Sequence, residues 1–221
     1  LTTNAFRWAT ALLLAASGLG HATVVTLEYG ATFERGGAVY PGKGPVLRAT
    51  LSDEGPGSTR VHFLLEAINL LPGDYVRNWA FNFSGNADSL VFSHTTKSGT
   101  FTDPTIHFPA SNLGGGNPPF SFSLEFSTSN KRGGTSRLEN NESLAFDITL
   151  AKCGVLTVED FLGTLKHMDQ NLVSGVFFAG NSGSFHYKGE QPPIPEPATF
   201  AFGGLVVAGL AFAEMRRRKK A

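Results

Sequence analysis

Between Phe120 and Phe126 the chain reads Phe-Ser-Phe-Ser-Leu-Glu-Phe, a strict alternation of apolar and polar residues. Successive side chains of a strand point to opposite faces, so this segment segregates its two faces only as a half-buried β-strand. Leu144, Phe146, Ile148 and Leu150 alternate with Ala145, Asp147 and Thr149 in the same way. Further strands are expected at Val24–Tyr29, Val46–Leu51, Arg60–Ile68, Asn78–Phe83, Ser89–Ser93, Val173–Phe178 and Ser184–Tyr187. Turn-forming clusters separate them: Pro41-Gly42-Lys43-Gly44-Pro45, Asp53-Glu54-Gly55-Pro56-Gly57, Leu71-Pro72-Gly73-Asp74 and Gly114-Gly115-Gly116-Asn117-Pro118-Pro119. Eight or nine short strands at this spacing predict an all-β fold over residues 23–190, an antiparallel, jelly-roll-like β-sandwich. One short helix is expected over Val158 to Lys166. Thr157 caps it, Glu159 and Asp160 lie in its first turn, and Phe161, Leu162 and Leu165 form its apolar stripe.

Charge narrows the partners. The whole chain has 18 basic and 18 acidic residues, but five of the basic ones stand in its last six positions. Residues 23–194 hold 12 basic and 16 acidic side chains. A body of that sign lacks the basic face that nucleic acid requires, so nucleic acid is excluded as a partner.

Both ends differ from the body. In residues 1–22, Arg7 precedes the apolar stretch Trp8 to Ala16, and Gly20-His21-Ala22 offers small residues at a cleavage point. This reads as a signal-peptide helix cut between Ala22 and Thr23, too short to span a bilayer. The alternative is a buried N-terminal helix, which the lack of a polar face disfavours. At the other end, residues 191–197 form a proline-rich linker that excludes helix. Residues 198–215 then read as a transmembrane helix; its uncharged part, Ala198 to Ala213, falls a little short of a hydrocarbon core of about 30 Å, and snorkelling basic side chains close the gap. Residues 216–221 carry the basic stop Arg216, Arg217, Arg218, Lys219 and Lys220, which stays cytoplasmic and leaves the body across the membrane.

Pro195-Glu196-Pro197, the apolar segment and the basic cluster, in that order, resemble the PEP-CTERM sorting signal of Gram-negative bacteria. The resemblance implies recognition by exosortase, a membrane-embedded transpeptidase-like enzyme, and removal of the tail at or near Pro195, Glu196 and Pro197. It further implies delivery from a membrane-anchored precursor to the cell surface, outer envelope or exopolysaccharide matrix. The competing reading is a plain membrane anchor, for which an apolar helix and a basic stop suffice.

The body shows little chemistry. Gly180-Asn181-Ser182-Gly183-Ser184 lacks the last glycine of a nucleophile elbow, and no two histidines stand one helical turn apart. Gly114-Gly115-Gly116 is not followed by the Lys-Ser/Thr of a phosphate loop. No catalytic, cofactor or metal residue is therefore assigned, and the chain is not expected to be an enzyme. His62, His94, His107 and His186 are expected singly at the surface, and Cys153 as a small buried residue. Asp53, Asp74, Asp88 and Asp103 are expected as solvated turn acids, with calcium as an alternative. Trp79 is expected inward with Phe81 and Phe83. The rival functional reading is a secreted polysaccharide-binding module, through Tyr40, Tyr75 or Tyr187, or a polysaccharide hydrolase. The hydrolase needs a concave site with two carboxylates about 5 to 9.5 Å apart.

Overall fold

The computed structural model describes residues 22–32, 40–42, 44–110, 120–131, 134–167 and 170–190. The expected signal helix up to His21, the glycine-rich loop before Phe120, the linker, the transmembrane helix and the basic tail lie outside the described residues. Alternation makes the strands: β1 (Val24–Thr32), β2 (Leu47–Asp53), β3 (Arg60–Ala67), β4 (Tyr75–Phe81), β5 (Leu90–Ser98), β6 (Thr105–His107) and β7 (Phe122–Glu125). They continue as β8 (Asn130–Lys131), β9 (Gly134–Thr135), β10 (Ser143–Leu150), β11 (Leu165–His167), β12 (Gln170–Leu172), β13 (Ser174–Gly180) and β14 (Gly183–Glu190). The described residues are all-β, with only short 3-10 turns besides. Ten strands form one antiparallel sheet in the order β5-β10-β3-β2-β1-β14-β13-β4-β7-β6, with β11-β12 and β8-β9 as separate two-stranded ribbons.

The sheet curls because one face is apolar along almost every strand. In β2 and β3, Leu47, Ala49, Leu51, Val61, Phe63, Leu65 and Ala67 all point inward and are buried. Phe63 of β3 stacks on Phe146 of its neighbour β10, yet also meets Phe81 of β4 edge-on, although four strands separate β3 from β4 in the sheet. Tyr29 of β1 meets Trp79 of β4 at 5.2 Å in the same edge-on manner. Phe92 of edge strand β5 reaches Phe122 of β7, so the two ends of the sheet face one another across the core. Each such aromatic pair adds about 0.5–1.5 kcal/mol beyond the area it buries. Trp79 and Phe81 face inward as expected, and Phe83 is partly buried against the same core.

Four expectations are corrected. The helix over Val158 to Lys166 is only a four-residue 3-10 turn, Val158–Phe161. Gly163 interrupts the stripe, Leu165 enters β11, and Phe161 drops into the core against Phe63. The start was legible: the Asp160 carboxylate accepts the Thr157 backbone N–H at 2.9 Å. Cys153 is exposed, not buried, because it lies in the bend after β10. Tyr40 and Tyr187 are core residues rather than surface platforms for a sugar ring. Asp53 and Asp74 are buried, not solvated.

Candidate functional site

The outer face of the sheet carries a row of polar side chains in register. Ser52 of β2 pairs with His62 of β3, His62 pairs with Asp147 of β10, and Asp147 pairs with Ser93 of β5. The inward parity of Leu51, Val61, Phe63, Phe146 and Ile148 puts these intervening positions outward.

His94 joins the row by a different device. Leu90 and Phe92 are the inward positions of β5, so uninterrupted alternation sends His94 into the core. Instead, pairing jumps from Asp147–Ser93 to Ala145–Thr96, a β-bulge that leaves two residues of β5 opposite Phe146. His94 takes a left-handed backbone, φ 51°, within that bulge. Few side chains adopt this conformation without cost, and bulges re-aim side chains. The result is that His94 turns out to the face of Asp147.

Asp147 is the hub. Its Oδ1 lies 2.8 Å from His62 Nδ1, and its Oδ2 lies 3.3 Å from His94 Nδ1 and 3.6 Å from Arg60 Nη1. The Asp147 side chain is 11% exposed whereas that of His94 is 76% exposed, so the carboxylate lies at the floor and the imidazoles form the rim. Arg60 Nη2 reaches Glu54, whose hydrogen bond and charge, with the charge of Asp147, push the guanidinium above its already high usual pKa. With Asp53 and Thr96 these residues line a cleft of about 440 Å³.

Asp53 stands at the inward end of this cleft, and its saturation with donors explains its burial. Oδ1 accepts the backbone N–H of Thr23 and of Gly55, both at 2.9 Å, and Oδ2 accepts that of Val158 at 2.9 Å. Burial alone raises a carboxyl pKa, but the N–H groups of Val158, Thr23 and Gly55 outweigh it and hold Asp53 below the usual range. Asp74 is committed in the same way, accepting the Tyr40 O–H at 2.8 Å and the Ser182 N–H at 3.0 Å. Every oxygen of these two carboxylates thus already accepts a hydrogen bond from the protein. Asp88 and Asp103 are surface acids, and Asp103 pairs with Lys97 at 2.7 Å.

The arrangement has part of a nucleophilic machine. A carboxylate that accepts Nδ1–H fixes the imidazole tautomer and leaves Nε2 as a base. Ser52 stands next in the row, but no hydrogen bond joins it to His62 among the described residues. Arg60 occupies the space between Glu54 and Asp147, where a glycosidic oxygen would have to sit for those two carboxylates to work on it. No group of three or more His, Cys, Asp and Glu side chains is arranged to hold a metal ion among the described residues.

Of the four histidines expected singly at the surface, His107 and His186 do not join the cleft, and each has a partner of another kind. His107 faces Glu125 at 2.8 Å, and His186 stacks on Phe177 with ring centres 4.5 Å apart. His62 and His94 instead converge on one carboxylate. The signal available in the sequence was the parity break at His94, a polar residue where the rhythm of Leu90 and Phe92 calls for an apolar one. Ala22 is exposed and Thr23 half-buried at the start of the described body. Pro195, Glu196, Pro197 and Arg216 to Lys220 lie outside the described residues. No family model, curated protein or solved structure matches the chain.

Proposed function

We propose that this chain is an exported protein of a Gram-negative bacterium. Its PEP-CTERM signal sorts it to the cell surface, outer envelope or extracellular matrix, with exosortase as its processing partner. The carrying observation is the ordered tail: Pro195-Glu196-Pro197, the apolar segment and the basic stop Arg216 to Lys220. The limits of the folded body support it. β1 begins at Val24, just past the expected cut after Ala22, and β14 ends at Glu190, just before the proline-rich linker. β1 and β14 are hydrogen-bonded neighbours, so trimming at either end leaves the sheet whole. The body is then a non-enzymatic jelly-roll-like sandwich made from the single curled sheet.

The test is Glu196→Ala, read by immunoblotting of fractionated cells. A plain anchor needs only the apolar helix, so the substitution changes nothing there. A sorting substrate presents Glu196 between two rigid prolines as the one charged handle for the processing enzyme. The variant is therefore expected in the membrane fraction with its tail uncleaved. Trimming and release at the wild-type rate would leave the plain anchor as the better account.

The cleft favours a second reading, a polysaccharide-binding module. It is concave and polar, with Arg60, His62, His94, Ser52 and Thr96 offering hydrogen-bonding groups at its rim and walls. Its chemistry supports binding over hydrolysis, because Arg60 bridges Glu54 and Asp147 and Asp53 is saturated by backbone donors.

A further inference from the structure

We infer that Asp53 is a latch for the processed N-terminus: signal cleavage between Ala22 and Thr23 creates an α-ammonium that Asp53 is already placed to bind. The inference rests on the export reading and adds a consequence for the folded state. Thr23 and Asp53 are joined twice. The Thr23 backbone nitrogen donates to Asp53 Oδ1 at 2.9 Å, and the Asp53 N–H donates back to the Thr23 carbonyl at 3.0 Å. Asp53 is 7% exposed, at the inward end of β2, and its Oδ2 simultaneously holds Val158 at the 3-10 turn. One carboxylate thus ties together the first strand, the loop after β2 and the turn that plugs the core with Phe161. Thr23 thus belongs both to the site of modification and to the anchor of the fold.

Hydrolysis of the Ala22–Thr23 peptide bond by a signal peptidase consumes one water. It leaves a carboxylate on Ala22 and an amine on Thr23, which takes up a proton at neutral pH. The nitrogen need not move. An amide N–H···carboxylate bond, charged on its acceptor side only, becomes an ammonium–carboxylate pair in which both partners carry charge, so a Coulomb attraction is added to the hydrogen bond. The preceding Ala22 is exposed, so the remaining ammonium protons face water rather than the core. The uncleaved chain therefore folds with the latch half-set, and cleavage closes it.

The sign of the pH dependence follows. Pairing raises the folded-state pKa of the amine above its usual value of about 7.7–8.0. The added stability is present below that value and is lost as pH rises through the raised one. Other charged groups near the latch are Glu54, Arg60, His62, His94 and Asp147 in the cleft, Glu159 and Asp160 on the turn, and Glu28 and Arg48 on β1 and β2. All are identical in the two forms to be compared, so their titration cancels in the difference.

The experiment uses the chain from Thr23 to Ala221, tail retained, in mild detergent, released from a fusion by a protease that leaves Thr23 first. The comparison form begins at Ala22 and is N-terminally acetylated. At pH 6.5 the Thr23 form is expected to have a folding equilibrium constant about tenfold larger by urea denaturation. That advantage is expected to vanish above about pH 10 and in Asp53→Asn. Equal stability of the two forms at pH 6.5 would overturn the latch, as would an advantage unchanged by Asp53→Asn. If Asp53→Asn does not fold, the pH dependence in the wild-type body decides alone: a pH-independent gap overturns it. N-terminal sequencing of the exported protein tests the underlying reading separately. A start other than Thr23 removes the cleavage position, whatever the recombinant forms show.

Discussion

Tyr40→Phe removes a single oxygen from a buried junction, and the structure gives both the size and the pH dependence of the loss. The phenol donates to Asp74 Oδ2 at 2.8 Å and accepts the Leu71 backbone N–H, while its ring packs edge-on against Phe178 and Phe185 at about 5 Å. The ring stays in the variant, so the apolar packing is kept. What goes is a hydrogen bond to a charged acceptor, worth roughly 1.5–3 kcal/mol, and the partner of a half-buried N–H, worth roughly another 1 kcal/mol. Asp74, 1% exposed, is left with the Ser182 N–H. The expected loss is about 2–4 kcal/mol at pH 7.

Alkali should then narrow that gap. Burial, outweighing the Leu71 hydrogen bond and reinforced by Asp74, pushes Tyr40 up to about 12. An unfolded tyrosine ionises near pH 10. Between those values the unfolded wild type gains free energy by losing a proton that the folded phenol keeps, so stability falls by up to about 1.4 kcal/mol per pH unit. The phenyl ring of the variant has no proton to lose. Tyr29 and Tyr187 are also raised by burial and destabilise both proteins alike, so they cancel in the difference. Urea denaturation of the chain ending at Glu190, where the compact body stops, between pH 7 and 11 is the measurement. A loss below about 1 kcal/mol at pH 7, or a gap that stays constant or widens to pH 11, would refute the reasoning.

Other predictions rest on other parts of the molecule. His94→Gly releases the left-handed backbone of the bulge at the cost of an exposed polar contact with Asp147, so stability should rise or hold within about 1 kcal/mol; a loss above about 2 kcal/mol by thermal melting would show that His94 is a structural tie. Asp147→Ala removes the carboxylate that holds the proton on His62 Nδ1, and nitrogen NMR should then show the neutral ring shifting from that tautomer toward Nε2–H; an unmoved tautomer balance would contradict the hub. Cys153 is exposed, so a thiol reagent should modify one cysteine per native chain without a lag, and slow reaction coupled to unfolding would place the residue inside. A serine-directed fluorophosphonate should leave Ser52 unlabelled, because no base is bonded to its hydroxyl; stoichiometric labelling would reinstate a hydrolase.

The rhythm of the strands was legible because it is local. Phe122, Leu124 and Phe126, or Leu144, Phe146 and Ile148, state their own inward face, and every one of them is buried. Strand order is not local. Nothing in the sequence near Ser143–Leu150 says that this strand lies between β3 and β5, yet that neighbourhood alone brings His62 and His94 to Asp147. The short strands β6, β11 and β12 were missed for a related reason. Three residues are too few to display a period, and their pairing partners supply the structure that their own pattern cannot.

The buried turn acids show where rules of residue type break down. Asp53 and Asp74 stand among Gly and Pro, the setting in which an aspartate normally meets water. Asp53, however, also keeps the inward parity of Leu47, Ala49 and Leu51, one step beyond the last apolar residue of β2. A carboxylate there is tolerable only if backbone donors replace its hydration, and three do. Those donors come from residues 23, 55 and 158, so the stability of the position is written in three distant stretches of chain. The parity of Asp53 was visible from the sequence, and its meaning was not. An acid continuing the inward rhythm of a strand is better read as a point where other segments bring their N–H groups than as a residue that has left the core. For this chain that reading makes the N-terminal edge, the loop after β2 and the Val158 turn one cooperative unit.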